Sequence, residues 1–90
     1  MNFLIAMKSE ELNLNGFQYE LLKIVSMKRF LTISEIWEET FKSIYFCHLI
    51  KKDMKECLED LVDKRILLRK YDFIKRETSY KKAINVETNV

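Results

Sequence analysis

The chain has 90 residues, of which 48% are hydrophobic and 33% charged, with a formal net charge of +2, one Gly, no Pro and two Cys. That length makes one small domain, and the apolar share excludes a disordered tail. So few helix breakers argue against a many-turned all-β fold, no apolar run approaches the roughly 18 residues of a membrane span, and two cysteines do not make a disulfide framework.

The chain opens on Met1-Asn2-Phe3-Leu4-Ile5-Ala6-Met7, apolar but without the basic leader of a signal peptide and too short for one, so an intracellular, cytoplasmic protein is expected. Residues 1–14 read as an N-terminal apolar segment in which Phe3, Leu4, Ile5, Met7 and Leu12 either pair two copies of the chain or cap the core of one.

The first helix has a readable start. Asn15 suits the N-cap, Gln18 stands three residues on as its capping-box partner, and Leu14 with Tyr19 occupy the positions of a hydrophobic staple. Phe17, Leu21, Ile24, Val25 and Lys28 follow at helical spacing. In "LTISEI" Thr32 is the second N-cap, Glu35 its partner, Leu31 and Ile36 the staple, and Ile33, Ile36, Trp37 and Phe41 the apolar face. Trp37 is expected in the core.

The start of a third helix is vaguer. Ser43 is a candidate cap without a Glu or Gln three residues on, so "KSIYFCHL" reads as a loop or an extra turn, with Tyr45 and Phe46 packing on the core or stacking on a ligand. From residue 50 the pattern is clean to residue 64: Ile50, Met54, Cys57, Leu58, Leu61 and Val62 share one face, and Lys51, Lys52, Lys55, Glu56 and Glu59 lie away from it. Cys47 and Cys57 read as buried or half-buried thiols, with an intermolecular bridge as the alternative.

After that helix the rhythm changes. Residues 66–71, Ile-Leu-Leu-Arg-Lys-Tyr, read as a strand, residues 72–77 as a turn without the Gly signal of a tight hairpin, and residues 78–83 as the return strand. Phe73 and Ile74 at the turn either fold back under the hairpin or meet a partner, a minor-groove wedge included; folding back is the favoured reading. Residues 85–90 form a short tail.

Charge is unevenly distributed. Residues 1–41 hold four Lys/Arg against six Asp/Glu, whereas residues 64–82 carry eight basic residues and only Asp72 and Glu77. Such a cluster is either an electrostatic footprint for a polyanion or a solvated hairpin kept soluble by its charge.

Three helices followed by a two-stranded hairpin is the plan of a winged helix-turn-helix, an α+β fold with a three-helix core and a wing over residues 15–84. "LEDLVDKRILLRK" resembles the L-x-x-L-x-x-K-G-[apolar]-[apolar] segment that joins recognition helix to wing in prokaryotic and archaeal repressors, viral and plasmid regulators among them. The layout over residues 19–80 is similar to the penicillinase-repressor group, with the MarR and PadR groups close behind. Arg65 departs from that pattern, standing where the family has a glycine of positive φ at the helix C-terminus.

The resemblance implies a transcriptional regulator that binds double-stranded DNA as a homodimer. Lys51, Lys52, Lys55 and Glu56 would then face the major groove, where lysine donates to guanine and glutamate accepts from cytosine. Arg69, Lys70, Lys75 and Arg76 on the wing would neutralise phosphates, assisted by Lys81 and Lys82. The acids Glu56, Glu59, Asp60 and Asp63 on the same helix count against this, unless they stand away from the groove. The rival expectation is a winged-helix module that docks on a protein in a transcription, replication or sorting complex.

No catalytic residue, metal or cofactor is expected. Zinc needs about four ligands, and Cys47 and His48 find no others at suitable spacing. Adjacent on a helix, they would also point about 100° apart, a poor nucleophile–base pair.

Overall fold

The computed structural model describes residues 6–8, 13–42 and 50–87. In chain order the elements are β1 (Ala6–Lys8), α1 (Gly16–Ile24), β2 (Leu31–Thr32), α2 (Ile33–Thr40), α3 (Lys51–Asp63), β3 (Leu67–Asp72), β4 (Glu77–Lys82) and β5 (Asn85–Glu87). Among the described residues the protein is thus a small α+β fold of three helices, a three-stranded antiparallel sheet ordered β2-β4-β3, and a two-stranded parallel pair of β1 and β5.

Both anticipated capping boxes close. Asn15 Oδ1 accepts from the Gln18 N–H at 2.8 Å, and Gln18 Oε1 accepts from the Asn15 N–H at 3.1 Å. At α2 the Thr32 hydroxyl accepts from the Glu35 N–H at 3.2 Å and Glu35 Oε1 from the Thr32 N–H at 3.0 Å. Each satisfies two amide groups that a helix start would otherwise leave orphaned. Helix α1 ends earlier than its apolar spacing predicts. Val25 turns extended, at φ −68° and ψ 130°, which leaves Lys28 outside the helix.

Thr32 has a second role that the sequence reading missed. With Leu31 it forms β2, which pairs Leu31 with Tyr80 and Thr32 with Ser79 on β4. The hairpin therefore lies against the chain segment that opens α2, instead of standing as an isolated ribbon.

The core lies between the three helices and the inner end of the sheet. Leu21, Leu22, Val25, Leu31, Ile36, Met54, Leu58, Leu61, Ile66, Leu67 and Tyr80 are all buried. Met54, Leu58 and Leu61 form one ridge of α3 and fix its rotation. Fully burying each of these side chains contributes about 1.5–3 kcal/mol.

Three expectations on the apolar faces are corrected. Ile50 is the uncapped residue before α3 and is 55% exposed, not part of the ridge, because the helix begins only at Lys51. Phe41 is 71% exposed at the end of α2, its ring edge-on to Trp37 with centroids 5.1 Å apart. Trp37 is half-buried at the margin of the core instead of inside it.

Helix α3 ends in a Schellman motif. The Ile66 N–H donates to the Leu61 carbonyl at 3.0 Å and the Arg65 N–H to the Val62 carbonyl at 2.9 Å. Arg65 takes the left-handed φ of 63° that the motif demands, so it does the work of the missing glycine and bears the strain. Leu61 and Ile66, both buried, supply the apolar contact of the motif. The chain is thereby aimed straight from α3 into β3.

Candidate nucleic-acid interface

With the buried ridge of α3 turned inward, Lys51, Lys52 and Lys55 are left exposed at its amino-terminal half. They line a concavity of about 520 Å³ together with Ile33 at the start of α2 and Tyr71, Arg76, Glu77 and Thr78 of the hairpin. Four cations from two elements converge there, and among the described residues none of Lys51, Lys52, Lys55 and Arg76 is in an ion pair. Glu77, the one acid among the described residues of the lining, is tied elsewhere: its Oε1 accepts from the Ser34 N–H at 3.0 Å and from the Ser34 hydroxyl at 2.5 Å. Those bonds hold its charge against the first turn of α2, where the helix dipole favours an anion.

Several acids of α3 line a second concavity. Asp53, Glu56 and Asp60 line a separate concavity of about 390 Å³ with Asn15, Phe17, Gln18 and Cys57, on the side of α3 towards α1. Asp60 Oδ2 accepts from Gln18 Nε2 at 2.7 Å and from Lys64 Nζ at 2.5 Å. The Lys64 ammonium first, and then the Gln18 amide, hold its carboxyl below the ordinary 3.8. Glu59 accepts from Arg69 and from Tyr80. Glu56 lines this second concavity and not the first, although it stands one helical turn on from Lys52. Asp60 is thus tied towards α1 and Glu59 towards β3–β4.

The hairpin cations are dispersed over several settings. Strand alternation sends Arg69 and Lys70 to opposite faces. Arg69 pairs with Glu59 of α3. Lys70 lies on the other face of the sheet with Lys81, their ammonium groups 5.7 and 5.5 Å from the Phe30 ring centroid, within cation–π reach. Lys75 Nζ is 3.4 Å from Glu35 Oε1, at the start of α2. The Thr32 N–H and then the Lys75 charge lower the Glu35 carboxyl from its ordinary 4.5. Of the four hairpin residues expected on phosphates, Arg76 alone among the described lining faces the lysines; Arg69, Lys70 and Lys75 do not share that concavity. Lys82 is half-buried, and burial disfavours its charged form.

Sequence reasoning missed Tyr71, Thr78 and Ile33 as lining residues. Strand alternation carried a signal for the first, since Tyr71 is two residues from Arg69. Nothing in the linear pattern pointed to Ile33. Phe30 as the seat of two lysines was equally out of sight.

Helix α3 starts without a side-chain cap among the described residues. Its first amide groups open beside Lys51 and Lys52, a setting that suits phosphate oxygens. Cys57 is a free, half-buried thiol that burial pushes up from its ordinary pKa. No three His, Cys, Asp or Glu among the described residues stand close enough to hold a metal ion. Ser43, Tyr45, Phe46, Cys47 and His48 lie outside the described residues, as do Phe3, Leu4, Ile5 and Leu12. No described helix is long and apolar enough to cross a membrane.

Comparison with family models, curated proteins and solved structures returns no match to this chain.

Proposed function

We propose that the chain is a winged-helix regulator of transcription that binds double-stranded DNA, with α3 in the major groove and the β3–β4 hairpin as its wing. One observation carries this reading: Lys51, Lys52 and Lys55 of α3 and Arg76 of the hairpin converge on one concavity, and none of the four has an ion-pair partner among the described residues. A helix about 10–12 Å across with its side chains fits the major groove. Lys52 and Lys55 read base edges, while Lys51, Arg76 and the amino end of α3 hold phosphates. The protein is not an enzyme in this reading, and it acts as a homodimer on paired half-sites.

A mobility shift against random duplex at two salt concentrations tests the proposal. With Lys51 and Arg76 each neutralising one phosphate per protomer, log K falls against log salt with a slope near −1.8. Lys52→Ala and Lys55→Ala blur sequence preference, whereas Arg76→Ala weakens binding to all duplexes alike. A protein-docking module is the second reading, favoured by the exposed Phe73 and Ile74. Failure to retard any duplex at the lower salt selects it.

A further inference from the structure

The tip of the hairpin runs against what a soluble turn requires. Phe73 is 83% exposed and Ile74 95% exposed, although folding back under the hairpin was the expectation. The turn itself holds them out. Asp72 Oδ1 accepts from the Ile74 N–H at 3.0 Å and from the Lys75 N–H at 2.9 Å, and Arg76 closes the turn with a left-handed φ of 57°. The Phe73 ring packs edge-on against Tyr71, with centroids 4.9 Å apart and an angle of 74°. Two large apolar side chains are thus presented on a braced turn, not on a loose one.

Their position says what they meet. Tyr71, which supports Phe73, also lines the cationic concavity, and so does Arg76, two residues beyond Ile74. The apolar pair therefore continues the cationic surface at its outer end. A partner that fills both must be anionic where it meets Lys51, Lys52, Lys55 and Arg76 and able to admit apolar groups a short distance further on. A duplex satisfies both, because the minor groove beside an occupied major groove admits apolar wedges between base steps.

The geometry points to an apolar wedge: Phe73 and Ile74 enter the minor groove next to the α3 contact, partly unstack one base step, and bend the duplex towards its major groove. This inference rests on the DNA-binding reading. It adds a target class that base contacts alone do not give, namely duplexes with an easily kinked TA or CA/TG step roughly half a helical turn, about 5 base pairs, from the α3 contact.

The test uses the full chain and a short duplex that it retards, labelled at both ends for energy transfer and carrying 2-aminopurine at the candidate step. Wild type is expected to shorten the end-to-end distance in line with a bend of roughly 20–90° and to brighten 2-aminopurine as the step unstacks. Phe73→Ala with Ile74→Ala removes side chains that lie outside the core. This variant keeps the melting temperature and the salt slope of wild type and, at protein concentrations that saturate the duplex, loses the bend and the brightening. A variant that bends the duplex as far as wild type overturns the wedge and leaves DNA binding standing, as does a wild type that retards the duplex without bending it. Absence of retardation by both proteins removes the DNA-binding reading and the wedge with it. Co-sedimentation of wild type, but not of the variant, with phosphatidylserine vesicles, with bending equal in both, overturns the wedge in favour of a lipid contact.

Discussion

The Tyr80 hydroxyl, on the central strand β4, donates to Glu59 Oε2 of α3 at 2.5 Å. The other Glu59 oxygen accepts from Arg69 on β3. Tyr80 belongs to the core, and this one carboxylate therefore joins α3 to both hairpin strands.

Replacing Tyr80 by Phe keeps the ring and removes that bond. A hydrogen bond to a charged group contributes about 1.5–3 kcal/mol, and the lower end applies because Glu59 keeps Arg69. Thermal unfolding should shift down by roughly 6–12 °C, at about 4–8 °C per kcal/mol for a domain of this size. Burial first, and Glu59 second, raise the phenol well above its ordinary 10. The folded chain thus keeps a proton that the unfolded chain sheds. The stability from this group is fully present below pH 10 and is lost as pH rises beyond it. Denaturant midpoints measured on either side of that pH should fall more steeply for wild type than for Tyr80→Phe; parallel slopes would contradict the linkage.

Arg65 offers a gain. Its left-handed φ of 63° at the end of α3 costs an L-residue of order 1 kcal/mol, and glycine takes the same conformation freely. Arg65→Gly should raise stability by about 1 kcal/mol, read as an increase in the urea midpoint at constant m. Both hydrogen bonds of the Schellman motif come from main-chain groups, so they survive the change.

Asp60 and Glu35 contribute to the acid limb. Both carboxyls lie below their ordinary values of 3.8 and 4.5, so each contributes stability that is present above those values and lost as pH falls through the folded pKa. Both are partly exposed to solvent, which keeps each contribution small. Acid unfolding followed by circular dichroism should be shallower in Asp60→Asn than in wild type. The amide carbonyl that this substitution introduces still accepts from Gln18, so a lost packing contact cannot produce the same change.

What was legible in the sequence was local. Two capping boxes each span four residues, and the Met54–Leu58–Leu61 ridge lies within one helix, so neighbouring letters carry the signal. The hairpin strands came out within about one residue because apolar alternation and turn chemistry are also short-range. β2 escaped because Leu31 and Thr32 become a strand only by pairing with Tyr80 and Ser79, far along the chain. The parallel pairing of β1 with β5 joins the two ends of the described chain and is equally invisible to any local window. For the candidate site, a linear count finds the eight basic residues but not which of them are neutralised. Glu59 draws off Arg69 and Glu35 draws off Lys75, and both pairings depend on how helix and hairpin pack.

That partition separates two arginines that look alike in sequence. Arg69 is paired with Glu59 and stands outside the cationic concavity, whereas Arg76 is unpaired among the described residues and lines it. Arg76→Ala should weaken duplex binding and reduce the salt slope by about 0.9, the share of one phosphate contact. Arg69→Ala should leave the slope unchanged. It should instead lower stability by a few tenths of a kcal/mol up to about 1, the range of a partly exposed ion pair. Salt titrations and thermal melts of the two variants, run side by side, read both quantities. If Arg69→Ala also flattens the slope by about 0.9, the guanidinium leaves Glu59 to meet a phosphate, and the hairpin then contributes two contacts instead of one.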